Sequence, residues 1–388
     1  MTRWRSGLAA WAAAWMFCGC AAPPATNLDA FAARAMQATG AKGLAIAVVE
    51  GGNVTHVGAY GQRNARGEPL TANTVMYGAS LTKAVFATTV MQLVERGQLD
   101  LDRPIAALLP KPLPEYADEP AVVRAYANYG PLASDPRWRR ITPRMALNHA
   151  TGFANFFFLE DDRKARIHFE PGSRYAYSGE GLILLQLGLE RGLALSVREL
   201  TDANFKRLGM TRTSLIWRDD FAANLADGWT AEGQPQPHDQ RSRVRAAGSM
   251  DTTIADFARF AAAFMRGDLL APASRAEMLR PQLHITSGQQ FPTLGPQLPP
   301  ERQRPDLAAG LGVVTFTGPQ GPGFYKGGHD DGTGNTWVCV ERGQRCVVVL
   351  SNDVRAEAAF PAIVRFVLGE TGVPFAWEYG GKKFWSGT

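Results

Sequence analysis

The sequence predicts an α+β fold: an antiparallel sheet flanked by helices, built from both ends of the chain, with a mainly helical lobe inserted between them. Three observations carry this. Strand-like runs gather near the N-terminus (GLAIAVVE from Gly43, THVGAYG from Thr55) and near the C-terminus (LGVVTF, NTWVCV, CVVVLSN). From Asp100 to about Gln240 such runs are scarce, and short helical patches alternate with Pro/Gly-rich links such as LLPKPLPEYADEP. The composition, 45% hydrophobic and 20% charged over 388 residues, is that of a large globular body. The expected division is a mixed domain from residues 27–99 and 245–388, and a mainly helical domain over 100–244.

The opening MTRWRSGLAAWAAAWMFCGC, residues 1–20, has two arginines, a short apolar stretch and a terminal cysteine. It reads as an export signal, too short for a membrane span. Asn27 to Met36 is expected to form a helix. The two N-terminal strands then make a hairpin around Gly51-Gly52-Asn53. After Ser80, apolar Phe86, Val90, Leu93 and Val94 recur at helical spacing until Gly97, which predicts an amphipathic helix. A second helix is expected in IADFARFAAAFMRG, and a terminal one in AAFPAIVRFVLG. The polar, Pro-rich stretch from Gln282 to Arg304 reads as a surface excursion able to wall a site.

The net charge is +5, from 41 Lys and Arg against 36 Asp and Glu. The densest basic run, Arg137-Trp138-Arg139-Arg140, is short and isolated, so no nucleic-acid groove is expected. Cys339 and Cys346 flank a turn at Arg342-Gly343, which would place them opposite each other on adjacent strands. That register suggests the wider, hydrogen-bonded spacing, so the disulfide stays open. No zinc ligand set is visible. His329, Asp330 and Asp331 are adjacent in sequence, which scatters their side chains.

Three passages carry chemistry. In YGASLTKAVF, Ser80 stands at a helix start with Lys83 one turn on. Ser80 is either a cap or a nucleophile in the positive field of the helix end. Lys83 is either solvated or a buried base. In YAYSGEG, Tyr177 precedes a helix and either packs or directs its hydroxyl into a cleft. In FYKGGHDDG, Lys326 precedes Gly327 and Gly328, which would let a substrate backbone approach an edge strand.

Taken in this order, the passages resemble the serine β-lactamase and penicillin-binding-protein superfamily, most closely its class C β-lactamase-like branch. Ser80-Leu81-Thr82-Lys83 matches the first motif completely, Tyr177-Ser178-Gly179 matches Tyr-x-Asn at its tyrosine, and Lys326-Gly327-Gly328 matches Lys-Thr-Gly without the threonine. ITPRMALNHATG and AAGSMDTTIADFARF also fit, and the resemblance spans Asn27 to Gly369. It implies the β-lactamase/transpeptidase fold and a Ser80 acyl-enzyme. Lys83 and Tyr177 would share the proton work, in roles left undivided. Lys326 would supply positive charge, Gly327 and Gly328 would line the substrate edge, and the Ser80 and His329 N–H groups would form the oxyanion hole. The sequence FCGC-AAPP resembles a lipoprotein lipobox with lipidation at Cys20, which implies an exported, periplasmic protein anchored to the outer membrane. The resemblance places His149 outside the reacting groups.

The expected function is therefore acyl transfer from a D-amino-acid amide, β-lactam or ester, without metal or organic cofactor. Small molecules or peptides with a carbonyl centre, peptidoglycan among them, are the expected partners. Two alternatives stand beside it: a carboxylesterase of the same fold, and a catalytically silent module that binds cell-wall peptides.

Overall fold

The computed structural model describes residues 25–388, besides Met1. The export signal, the lipobox and Cys20 lie outside the described residues. Eight strands form one antiparallel sheet: β1 (Gly43–Glu50), β2 (Asn53–Gly61), β3 (Leu283–His284), β4 (Leu307–Ala309), β5 (Val314–Gly318), β6 (Gly321–Asp330), β7 (Thr333–Val340) and β8 (Arg345–Ser351). Their order is β2-β1-β8-β7-β6-β5-β4-β3, so the two ends of the chain meet where β1 pairs with β8.

The sheet is covered on both faces, and the alternation along β1 shows how. Ala45, Ala47 and Val49 join a core with the helices Leu81–Glu95 and Ile254–Arg266. Leu44, Ile46 and Val48 face the other way, toward the helices Ala25–Thr39 and Phe360–Leu368. The first core continues into the middle of the chain through Tyr116, Leu132 and Leu182, so one apolar body joins the helical segment to the sheet. Residues 100–244 contribute no strand to the large sheet; among the described residues they hold one two-stranded ribbon, Gly228–Trp229 with Pro235–Gln236. Arg137 and Arg140 are paired with Asp135 and Glu170, while Trp138 between them is buried.

Three expectations need correction. The Leu81–Glu95 helix is not amphipathic, because twelve of its fifteen residues are buried. Its polar members are accommodated locally: the Thr82, Thr88 and Thr89 hydroxyls donate to the carbonyls of Ala79, Ala84 and Val85. Second, β6 is an inner strand, flanked by β5 and β7. Its pairing with β5 ends at Tyr325, however, so Lys326 to Asp330 keep a free edge. Third, Cys339 and Cys346 are directly opposed and bonded, with Cα atoms 4.1 Å apart instead of at the wider spacing.

Candidate active site

Ser80 does not cap its helix. Its side chain makes no capping bond, and its backbone is already helical at φ −71°, ψ −1°. The hydroxyl instead lies 2.8 Å from Lys83 Nζ and accepts from the Tyr177 hydroxyl at 2.8 Å. Ala79, immediately before it, has φ +46°, a left-handed turn that swings the chain into the helix. The Ser80 N–H makes no hydrogen bond within the described residues.

Lys83 is 1% exposed. Its Nζ also donates to the Ala247 carbonyl at 2.5 Å. Burial, and then the charge of Lys326, push its pKa well below the ordinary lysine value. Tyr177 is held in the bend before the Gly179–Leu187 helix, whose N-cap Ser178 accepts from Gly181 N–H. The Tyr177 ring lies between two amines, with Lys83 Nζ 4.9 Å and Lys326 Nζ 5.0 Å from its centroid. Lys326 Nζ is 3.4 Å from the phenol oxygen. Burial nonetheless raises the Tyr177 pKa, outweighing the hydrogen bond to Ser80 that lowers it. Both shifts point the same way, toward a neutral amine and a neutral phenol and away from an ammonium with a tyrosinate.

His149 is a support. Its ring is buried against Tyr177, centroids 4.6 Å apart, and Nδ1 accepts from Ser178 N–H at 3.1 Å. Burial and the two lysines hold its pKa well below normal.

Gly328 brings β6 against the start of the Ser80 helix. A Cβ there would lie 2.8 Å from the Gly78 carbonyl oxygen and 3.3 Å from Ser80 N. The His329 backbone follows on the same free edge. Its imidazole bonds Glu357 Oε1 at 2.7 Å; burial lowers its pKa, but the Glu357 bond and charge outweigh this and raise it.

Ser80, Tyr177, Lys326, Gly328 and His329 line a cleft of about 880 Å³. Several of its walls were not legible in the sequence. Tyr77 donates to the Gly248 carbonyl at 2.6 Å and carries the Arg241 guanidinium 3.4 Å above its ring. The Pro-rich excursion, read in the sequence as able to wall a site, supplies Gln290 and Phe291, the latter 5.5 Å from the Tyr177 ring. Phe156 and Phe158 stack at 5.0 Å, and Phe158 and Phe291 are exposed, so one part of the cleft is apolar beside its charged lining.

The two motif departures are filled by other residues. A Cβ on Gly179 would lie 2.5 Å from the Phe156 ring. One on Gly327 would lie 1.7 Å from Glu378 Oε1. Phe156 lies four residues beyond the ITPRMALNHATG passage, and its position gave no sign of this role. Glu378 is a lone acid near the chain end. Among the described residues, no group of His, Cys, Asp or Glu could hold a metal ion, and no helix is long and apolar enough to cross a membrane.

The family profile described as Beta-lactamase matches residues 28–368. Esterase EstB of Burkholderia gladioli is 28% identical over 240 residues, 58% of this chain and 59% of that protein. The chain spans about half the length of the curated relatives it matches. A penicillin-binding protein homologue from Pyrococcus abyssi superposes with a TM-score of 0.70 at 18% identity, covering 90% of this chain and 78% of that one. D-alanine carboxypeptidase AmpC from Burkholderia cenocepacia gives 0.66 at 19% identity, covering 89% and 99%. These likenesses establish the fold.

Proposed function

The chain belongs to the beta-lactamase family, and from that premise we propose that it is a serine hydrolase that cleaves carboxyl esters through a Ser80 acyl-enzyme. The observation that carries the reading is the continuous contact from Lys83 Nζ to Ser80 Oγ to the Tyr177 hydroxyl to Lys326 Nζ. With Lys83 neutral, the Ser80 O–H points its proton at the Lys83 lone pair while accepting from Tyr177. Ser80 Oγ attacks the carbonyl carbon and Lys83 takes the proton. The carbonyl oxygen becomes negative beside the unpaired Ser80 N–H and the His329 N–H, at the positive end of a buried helix. The Tyr177 hydroxyl, a neutral phenol next to the Lys326 amine, then protonates the leaving alkoxide and takes back the proton that Lys83 received, so one proton passes from Ser80 to the leaving alcohol and both groups return to neutral. Water repeats the sequence to release the acid.

Esters are favoured over β-lactams and peptides because Phe156 stands where the family's asparagine amide would hold the substrate amide. A substrate that carries an amide group beside the scissile carbonyl loses that hydrogen bond here, about 1–3 kcal/mol, whereas a simple ester has no such contact to lose. The relatives include EstB and a lovastatin esterase of Penicillium rubens, which supports the same choice. A fluorophosphonate should place a single adduct on Ser80. Turnover of a short p-nitrophenyl ester should exceed that of nitrocefin and of a D-Ala-D-Ala peptide. An adduct elsewhere, or nitrocefin turned over faster than the ester, would refute the reading.

The acid limb of the pH–rate profile belongs to Lys83, since activity requires its free amine. Lys326 repels the proton from Lys83, so Lys326→Met should raise the Lys83 pKa and move the limb to higher pH. A limb that stays in place, or moves down, would assign it to another group. The export signal and FCGC-AAPP support a further proposal, lipidation at Cys20 and a periplasmic site facing peptidoglycan. Cys20→Ser should release the protein from membranes on fractionation.

A further inference from the structure

One wall of the cleft takes no part in the proton transfers above. Phe156 and Phe158 line it with rings stacked at 5.0 Å and 9°, and Phe158 is 47% exposed. The stretch that carries them is fastened to the start of the Gly179–Leu187 helix, directly after Tyr177. Ser178 Oγ donates to the Ala154 carbonyl at 2.9 Å, Gly179 N–H to Asn155 Oδ1 at 2.9 Å, and Glu180 N–H to the Asn155 carbonyl at 2.8 Å. Phe157 N–H donates to Glu180 Oε2 at 3.3 Å. Glu180 is buried, and its other oxygen accepts from the Tyr129 hydroxyl at 2.9 Å. Phe156 packs on the first core and borders Gly179. A Cβ on Gly179 would lie 2.5 Å from that ring and 3.2 Å from Ala247 Cβ; the Ala247 carbonyl is the one that accepts from Lys83.

We propose that Phe156 and Phe158 form a fixed apolar platform for the acyl arm of the substrate, so that the site selects esters of acids with an aromatic or long aliphatic chain over short ones. The proposal rests on the acyl-enzyme reading above and names its substrate class. The alcohol leaves toward the Tyr177 hydroxyl. Phe156 stands where the family's asparagine would meet an amide on the acyl side of the scissile carbonyl, so the arm that passes it is the acyl one. Phe291, also exposed, packs on Tyr177 and borders the alcohol instead. The driving force is the apolar surface of Phe158, which loses its contact with water only when an apolar group covers it. Stacking on Phe156 and the hydrogen-bonded loop hold that surface in place before substrate arrives, so little ordering opposes binding. Most cations of the cleft are engaged elsewhere. Arg243 donates to the Arg124 carbonyl at 2.7 Å, Arg241 lies over Tyr77 and 3.3 Å from Asp251, and Lys382 pairs with Glu357. Arg245 also lines the cleft. An anionic arm would seek its guanidinium in place of the platform, so the test includes such an arm.

The test keeps a p-nitrophenyl leaving group and varies the acid: acetate, butyrate, hexanoate, 3-phenylpropanoate and 3-(4-carboxyphenyl)propanoate. In the parent, kcat/KM should rise about two- to fourfold per added methylene, and the 3-phenylpropanoate should exceed the acetate by about thirtyfold or more. The carboxylate-bearing ester should be no better than its uncharged counterpart. Phe158→Ala should cut the ratio of 3-phenylpropanoate to acetate about tenfold. The ratio is the readout, so any loss of rate common to all esters cancels. A second series, ethyl to hexyl acetate, varies the alcohol, and its ratios should be the same in parent and variant. On the parent alone, 2-phenylethylboronic acid should inhibit about tenfold or more tightly than methylboronic acid, which keeps the test open if the variant does not fold. A flat acyl series, an acyl ratio unchanged by Phe158→Ala, a fall confined to the alcohol series, or equal inhibition by the two boronates would overturn the proposal. So would a carboxylate arm preferred about tenfold over the uncharged one. Failure of fluorophosphonate to label Ser80 in the parent would instead remove the acyl-enzyme reading beneath it.

Discussion

Lys83→Met should lower kcat/KM for an ester on the order of 10³-fold and, at the same time, make the protein more stable. The loss of rate follows from removing the amine in contact with Ser80 Oγ; Tyr177, a buried phenol, donates to that oxygen and cannot accept its proton as it stands. The gain in stability follows from burial. Unfolded Lys83 holds its proton up to about pH 10.4, whereas the folded amine gives it up far lower because it is desolvated and faces Lys326. Between those two pKa values the unfolded chain binds more protons, so stability rises with pH and falls as pH drops toward the folded pKa. Methionine has nearly the same length and no proton to lose. Leaving the Ala247 carbonyl without its donor offsets part of the gain, so a net increase of about 1–2 kcal/mol at pH 7 is expected. Chemical denaturation of parent and variant from pH 6 to pH 10 measures this. The variant's advantage should be largest at the acid end. A variant that is less stable throughout would mean that Lys83 is charged in the fold, and it could not then be the base.

Gly328→Ala should lower kcat about 10²–10³-fold, the range seen when an oxyanion-hole donor is lost. The added methyl cannot be absorbed by a flexible neighbour. It meets the Gly78 carbonyl oxygen at 2.8 Å and the Ser80 and Leu81 nitrogens at 3.3 Å, all of them backbone atoms. Strand β6 must withdraw from the helix, carrying the His329 N–H with it, or the methyl must stand where the substrate oxygen would be stabilised. Either way the transition state loses more than the bound ester does, so kcat should fall with little change in KM. The strain should also cost about 1–3 kcal/mol of stability. Fluorophosphonate labelling, which forms a similar oxyanion, should slow by the same factor as kcat. Labelling at the parental rate would show that β6 takes no part in the oxyanion hole.

The contrast between Gly328 and Gly327 shows how much of the site was legible. Both glycines were read in the sequence as room for a substrate beside an edge strand. Gly328 is indeed pressed against the helix that carries Ser80. The space beside Gly327 is taken by Glu378, about fifty residues further along the chain. Similarly, Tyr177 was placed beside the serine by its motif, but not the sign of its pKa shift. Positive charge was expected from Lys326, yet burial outweighs the groups around the phenol and raises the Tyr177 pKa. The central helix was misread for the same reason: spacing of Phe86, Val90 and Leu93 shows one apolar face, and only the packing reveals that the other face is covered too.

What the sequence determined by itself was local. Hydroxyl and amine one helical turn apart, strands with period two, and glycines before a polar strand are all fixed by backbone geometry within a few residues. Tertiary structure decided what surrounds them: the helix buried on all sides, the disulfide register, the Phe156 ring in place of an amide, and the Glu378 carboxyl beside Lys326. Protonation depends on the water and charge that every packed element removes or brings. Segments far apart in the chain contribute to that environment, so no window of sequence contains it.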